Sequence, residues 1–369
     1  MNIRRIFLTL AAALCAVSTV SAQNTYKPKG GPGNGKKIVL LAGDEEYRSE
    51  EVMPMLAKLL AGRHGFTCTV VWSINPAGWT QREIEAFKKA NKDATPPKPA
   101  DTDPNDGTID PNEPSNLPGM EALADADACI MLLRFRAPHD GLMKHFDDFL
   151  KAGKPIIALR TSTHAFNFPG DTRSPFKKYG WTNKDWEGGG GFGKVVLGET
   201  WVSHWGKHKS EATLGVIEES QKGNPLLRGT AGLFGDSDVY EADPPKDATI
   251  LVRGQVLKGM TPDSGPADYQ KAKKDKTEQP VNNPMQPVVW TREYKNEAGT
   301  TNKIFCTTMG AATDMKNEAM RRLVVNAVYS FTGLEVPEKA DVDLVGNFAA
   351  TPYGFNGFVK GLKPENYSE

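Results

Sequence analysis

The chain has 369 residues, 39% of them apolar, enough to bury a large core in one big domain or two modest ones. Lysine plus arginine and aspartate plus glutamate each number 45, which leaves no basic excess to hold nucleic acid and no polybasic patch for a membrane surface. That balance suits a small ligand with little or no charge.

The first residues read as an address. Arg4 and Arg5 open the chain, 6–20 is almost purely apolar, and Val20-Ser21-Ala22 offers small residues for cleavage before Gln23. Residues 1–22 are therefore expected to be a signal peptide, and the mature protein to be exported, either periplasmic or secreted. The apolar run is short for a membrane span and no second one follows. Cys15 follows Leu14, where a lipoprotein signal wants a small residue, so it falls in the discarded segment. Cys68, Cys129 and Cys306 remain, each in an apolar, β-rich run. An odd number on separate strands predicts buried free thiols.

Residues 23–36 are polar and rich in glycine and proline, the composition of a flexible linker. Order is expected from Lys37: a buried strand over 37–43, a helix over 50–61 with Val52, Met55, Leu56, Leu59 and Leu60 at helical spacing, and a second strand over 66–72. That is a βαβ unit, hence a parallel sheet with a right-handed crossover. Residues 75–118 break the pattern with proline, aspartate, asparagine and lysine, apart from a short helix near 81–90. Their acidic stretch 101–113 lacks the regular glycine and terminal glutamate of a calcium loop and reads as a solvated insertion. A third strand (127–133), an amphipathic helix (139–152) and a fourth strand (155–159) follow, then a long loop over 160–191. Later strands are expected at 212–218, 249–256, 287–294 and 303–309, with a charged excursion at 269–279. A closing helix spans 317–331, stopped by Gly333. Residues 334–369 form a tail with little periodicity. The sum is one domain, 37–333. Its fold class is α/β, a flavodoxin-like, doubly wound and mostly parallel sheet with extra antiparallel strands and long loops.

Ligands of such sheets bind beyond the carboxyl ends of the strands. Three loops there carry chemistry: Asp44-Glu45-Glu46-Tyr47-Arg48, Arg134-Phe135-Arg136, and Arg160-Thr161-Ser162-Thr163-His164. One charged loop alone only turns the chain; three on one edge point to a polar ligand. His164 is a candidate general base or metal ligand, against the plainer reading of a histidine bonded to backbone. Trp201-Val202-Ser203-His204-Trp205-Gly206-Lys207-His208 adds two histidines four apart, and two indoles able to stack on sugar rings or merely to pack their own loop. Asp238 and Glu241, either side of Tyr240, bring carboxylates for acid/base work, or an Asx turn. The glycine run 188–191 is no phosphate loop, since no Lys-Ser/Thr follows it. No GxGxxG, HExxH, GxSxG or CxxC occurs.

Four segments, in order, resemble the ThuA-like (trehalose-utilisation) family. They are the first strand into Gly43-Asp44-Glu45-Glu46-Tyr47-Arg48; Gly153-Lys154-Pro155-Ile156-Ile157-Ala158-Leu159 with His164; Asp238-Val239-Tyr240; and Pro287-Val288-Val289-Trp290 with Ile304-Phe305-Cys306-Thr307-Thr308-Met309-Gly310. The resemblance implies a fold like that of class I glutamine amidotransferases. Their nucleophilic cysteine sits on the turn that here reads Arg160-Thr161-Ser162-Thr163-His164, so amidotransferase chemistry is not implied. The family is linked to trehalose and related disaccharides. His164 matches its histidine after the fourth strand, and His204 or His208 the later one. Tyr47-Arg48 and Gly310-Ala311 depart from positions where members often carry histidine.

Two functions are weighed. The first is a sugar-modifying hydrolase, lyase or isomerase acting on a disaccharide or a 3-keto sugar supplied by a partner oxidoreductase. In it His164 and Glu45 are the acid/base pair. Asp44, Tyr47, Arg48, Arg134, Arg136, Arg160, Trp201, Trp205, Asp238 and Tyr240 contact substrate, and one divalent metal ion sits on His164, His204 and His208. The second is a non-catalytic carbohydrate-binding or scaffold protein with a vestigial amidotransferase-like site. A flavin protein is disfavoured by the acidic first loop, a poor seat for a flavin phosphate.

Overall fold

The computed structural model describes residues 23–75, 89, 107–186 and 188–368. The expected signal peptide and the expected helix at 81–90, apart from Lys89, lie outside them.

Ten strands make one sheet. In chain order they are β1 (Gln23–Tyr26), β2 (Lys37–Gly43), β3 (Thr67–Trp72), β4 (Ala128–Leu133), β5 (Ile156–Leu159), β6 (Thr213–Ile217), β7 (Phe234–Gly235), β8 (Thr249–Val256), β11 (Gln286–Lys295) and β12 (Thr301–Thr307); β9 (Gln270–Ala272) and β10 (Glu278–Pro280) form a separate hairpin in the charged excursion. The spatial order is β1-β3-β2-β4-β5-β12-β11-β8-β6-β7. Strands β3, β2, β4, β5 and β12 run parallel, with Leu40 opposite Ile130 and Ile130 opposite Ile157. Every other pairing in the sheet is antiparallel. The molecule is thus a mixed α/β protein with a five-stranded parallel centre and an antiparallel wing.

The parallel strands are apolar on both faces because helical layers cover both. Ile38, Leu40, Ala42, Ile130 and Phe305 face a core shared with helices α1 (Ser49–His64) and α3 (Glu318–Phe331). Val39, Leu41, Cys129, Met131 and Cys306 face the opposite core, shared with α2 (Asp140–Lys151) and the 3-10 turn Met120–Asp125. Each leucine or isoleucine so buried contributes about 1.5–3 kcal/mol relative to exposure. Gly65 ends α1 with a left-handed backbone, φ 79°, and its N–H bonds Leu60 O. The Asn317 side chain accepts the Met320 N–H to start α3. Cys68, Cys129 and Cys306 are free and buried, and burial pushes their thiols well above the ordinary range.

The structure differs from the sequence reading at the polar segments. Gln23–Tyr26, expected within a flexible linker, pairs along β3 as an edge strand. The later part of the insertion is anchored: Ile109 bridges Ile74 and is buried, as is Leu117. The tail wraps back over the sheet. Leu362 O accepts the Ile109 N–H at 2.7 Å, the Tyr26 hydroxyl donates to Tyr367 O at 2.7 Å, and the Thr351 hydroxyl donates to Glu51 at 2.6 Å. Low-hydrophobicity segments give no periodic signal. Here backbone pairing, not apolar spacing, fixes them.

Glu50, in the first turn of α1, is buried, and neither carboxylate oxygen has a partner. Burial raises its pKa well above 4.5. The unfolded chain ionises this group near pH 4.5, so the folded state bears its penalty above that pH and is relieved of it as pH falls. Glu50→Met is expected to stabilise the protein by about 1–3 kcal/mol at pH 8. The gain should shrink toward pH 4.5, as denaturant unfolding at the two pH values would show.

Candidate functional site

Parallel alignment brings the ends of β2, β4, β5 and β12 to one edge of the sheet. Three residues there have left-handed backbone although none is glycine: Arg48 (φ 60°), Phe135 (φ 54°) and Arg160 (φ 41°). Such conformations cost about 1–3 kcal/mol each and persist where surrounding contacts impose them. The turn Arg160–His164 after β5 is wholly buried. Gly193 lets a π-helical turn lie against it, because a Cβ there would stand 1.9 Å from Thr163 O.

Arg160 is the hub. Its Nη1 donates to Asp238 O and to Thr308 O, both at 2.6 Å. Its Nη2 donates to Asp238 Oδ1 at 2.8 Å and to the Tyr47 hydroxyl at 3.0 Å. The guanidinium lies over the rings of Tyr240 (3.8 Å) and Tyr47 (4.5 Å). One side chain just after β5 thereby ties the loops after β2 and β12 to the antiparallel wing. Asp314 braces the same place. Its carboxylate accepts the Ser237 hydroxyl at 2.7 Å and the Gly310 N–H at 2.8 Å.

Asp238 faces two imidazoles. His204 Nδ1 lies 2.7 Å from Oδ2, and His208 Nδ1 lies 3.0 Å from Oδ1. Burial pushes this carboxyl up, but Arg160 and the hydrogen bonds from His204 and His208 outweigh it and hold the group well below the usual range. A fixed carboxylate at Nδ1 sets the tautomer and leaves Nε2 to face a ligand. His208 Nε2 stands 3.6 Å from Glu46 Oε1, and Glu46 Oε2 stands 3.1 Å from Arg134 Nε. The rings of His204 and His208 are 4.6 Å apart.

His164 sits beside this pair in an aromatic enclosure: Phe135 at 4.9 Å, Trp201 at 5.7 Å, Trp181 at 6.3 Å and Tyr240 at 6.4 Å. The Thr163 hydroxyl is 3.2 Å from its Nδ1. Burial lowers its pKa well below 6.5, with Arg134, Arg160 and His204 adding to the effect, so the imidazole is neutral at neutral pH. Trp201 also touches His204 at 5.7 Å, which joins the enclosure to the histidine pair. Arg134, Phe135, Trp181, Trp201, His204 and His208 are half-exposed, while His164 and Tyr240 are buried among them.

The residues singled out from sequence therefore divide. Asp44, Tyr47, Arg160, Asp238 and Tyr240 form the buried hub. Asp44 accepts the Thr161 hydroxyl, and burial pushes its carboxyl up to about 6 against that bond and Arg134. His164, His204, His208, Arg134 and Trp201 form the adjoining rim. Glu45 is buried and its carboxylate accepts the Asn356 N–H. Three expected substrate contacts serve the fold instead. Trp205 is fully buried with its indole N–H on Val281 O at 2.7 Å, so no sugar can stack on it. Arg136 spends its donors on Arg134 O, Pro111 O and Glu113 O. Arg48 is buried against Glu45 O at 2.5 Å and the Thr351 hydroxyl at 3.1 Å. The expected metal set also changes: among the described residues, His204, His208 and Asp238 bring ligand atoms within 4.8 Å of one another, and His164 stands outside that group. Two imidazoles steered by one carboxylate suit zinc or a similar borderline ion.

Sequence reasoning missed Trp181, Asp314 and the tail residues Tyr353, Phe355 and Asn356. Tyr353 stacks on Tyr47 at 5.2 Å, its hydroxyl donates to Asp236 O at 3.0 Å, and its ring lies 5.5 Å from His208. Only the density of aromatic residues over 353–358 hinted at this.

No family model matches the sequence, and neither does any curated protein. Among solved structures, a ThuA-like protein from Bacteroides uniformis ATCC 8492 aligns with 83% of this chain and 95% of its own, at 14% identity and a TM-score of 0.44. Another from Parabacteroides merdae ATCC 43184 aligns with 90% of this chain and 99% of its own, at 10% identity and a TM-score of 0.44. The chain is similar to both over most of its length.

Removing the hub's carboxylate would strand a buried cation. Asp238→Ala is expected to cost about 3–5 kcal/mol, and Asp238→Asn less. Urea unfolding measures both, and a loss under about 1 kcal/mol for Ala would contradict the structural role given to the pair.

Proposed function

We propose that this chain is an exported ThuA-like protein with a flavodoxin-like core that acts on carbohydrate, a trehalose-like disaccharide or its 3-keto form, by proton transfer at the His164 rim. The observation that carries this reading is a neutral imidazole held in an aromatic enclosure beside two imidazoles aimed by one carboxylate. The order β3-β2-β4-β5-β12 supports the flavodoxin-like assignment, since it is the 2-1-3-4-5 order of such sheets. The pattern of residues 1–22 supports export.

A 3-keto sugar asks for a base at the carbon next to its carbonyl and for positive charge near the developing enolate oxygen. His164, uncharged at neutral pH, is the base. Arg134, between His164 and Glu46, supplies the charge. Trp201 and Trp181 offer flat faces to the C–H side of a pyranose ring. A divalent metal ion on His204 and His208, with Asp238 orienting both rings, would add Lewis acidity. A sugar oxidoreductase is the class of enzyme that would make such a substrate. The burial of Glu45, locked to Asn356, favours the second reading, a carbohydrate-binding protein without turnover.

Incubation of the mature protein with trehalose and 3-keto-trehalose, followed by mass spectrometry, separates the two: bound sugar with no product would assign the binding reading. With turnover, His164→Ala is expected to lower kcat/KM about 100-fold or more. Unchanged turnover in that variant would remove His164 from the role of base. In a zinc titration by calorimetry, His204→Ala and His208→Ala should each weaken binding about tenfold or more relative to wild type, and wild-type affinity in both variants would leave the metal without its site.

A further inference from the structure

Among the described residues, Phe355 and Val359 are the large apolar side chains that stand exposed, at 56% and 61%, and both lie on the C-terminal strap. Leaving a phenylalanine in water forgoes stabilisation of about 1.5–3 kcal/mol. A loose tail could turn such a ring inward, yet this one is held where it is. Gly354, before it, donates its N–H to Glu46 O at 2.7 Å. Asn356, after it, donates its N–H to the Glu45 carboxylate. Tyr353 is pinned by its stack on Tyr47 and its bond to Asp236 O. The loop that carries the site's acids thus clamps the strap on both sides of one exposed ring.

The ring's neighbour is Arg134. Its guanidinium lies 5.0 Å from the Phe355 centroid and 4.6 Å from that of Phe135. Phe135 in turn packs on His164 and, at 5.4 Å, on Trp181. Aromatic rings and a guanidinium therefore run in contact from the neutral imidazole to the exposed Phe355 face. A flat apolar ring beside a fixed donor is the chemistry that receives a pyranose, whose C–H face stacks while its hydroxyls bond the donor.

We propose that Phe355 is a substrate-contacting platform: it stacks on the sugar ring distal to the one at His164, with Arg134 bonding the hydroxyls between, so that the site takes a disaccharide rather than a monosaccharide. This rests on the carbohydrate reading above and adds to it a residue and a length preference. Val359, exposed on the same strap but without a ring or an arginine neighbour in the contacts seen here, is the control.

The test is calorimetric titration of the full mature protein with trehalose and with glucose, in the wild type and in Phe355→Ala, Phe355→Trp and Val359→Ala. Wild type is expected to bind trehalose more tightly than glucose. Phe355→Ala should weaken trehalose about tenfold while leaving glucose within about twofold, Phe355→Trp should hold trehalose affinity within about threefold, and Val359→Ala should change nothing. Thermal melting of each variant should stay close to wild type, because the ring is exposed. Equal trehalose affinity in wild type and Phe355→Ala overturns the inference and leaves the proposed function standing. Equal losses in Phe355→Ala and Val359→Ala overturn it too, since the strap and not the ring would then matter. Failure of the wild type to bind either sugar overturns the carbohydrate reading and this inference together.

Discussion

The buried ion pair between Arg160 and Asp238 is the constraint on which the site depends. Both side chains are fully buried, and removing two charges from water is costly. The structure offsets that cost by placing an acceptor at every terminal nitrogen and an aromatic ring on the guanidinium. The geometry then becomes hard to vary. The loop after β2, the loop after β12 and the strand-like segment around Asp238 must all meet one planar group. Asp238 has orientation left over for His204 and His208 because Arg160 fixes its plane.

The same arrangement explains why a charged hub can border a neutral histidine. Arg160 and Arg134 both oppose a proton on His164, and burial removes the water that would solvate an imidazolium. His204 and His208 differ in position: both are half open to solvent, and each presents Nδ1 to the Asp238 carboxylate. The three imidazoles thus differ in what they face, one packed among aromatic rings and two held by a carboxylate.

The parallel centre could be read from sequence because its strands are buried on both faces. The run 37–43 matches β2, since apolar continuity bounded by glycine or polar residues has few other readings, and 249–256 matches β8 although its burial alternates. The loops after β2, β4 and β5 stand out by the rule that ligands gather at strand ends. Which loop residues face the ligand was not legible. Arg136 and Arg134 are two apart in one motif, yet one is sunk among backbone carbonyls and the other lines the rim. Trp201 and Trp205 diverge in the same way. These outcomes turn on backbone conformation, such as the left-handed Phe135 between the two arginines, and no composition rule carries that. The tail was opaque for a different reason. Tyr353 and Asn356 act through isolated long-range contacts to Tyr47, Asp236, His208 and Glu45, which leave no period behind.

The position of the site relates to the sheet in a way that bears on its chemistry. In the parallel centre the strand order reverses between β2 and β4. Arg134, after β4, pairs with Glu46, after β2, across that point. The histidine pair comes from elsewhere, the antiparallel wing, where His204 bridges Tyr240. The ends of the parallel strands alone would present Asp44, Glu46, Arg134 and His164. The wing bends a second set of side chains over them, and the Arg160–Asp238 pair is the point where the two sets join. Loss of that join would cost stability, as expected for Asp238→Ala, and with it the registration of His204 and His208 against His164. The contact that orders the histidines is thus also one that holds the wing to the parallel centre.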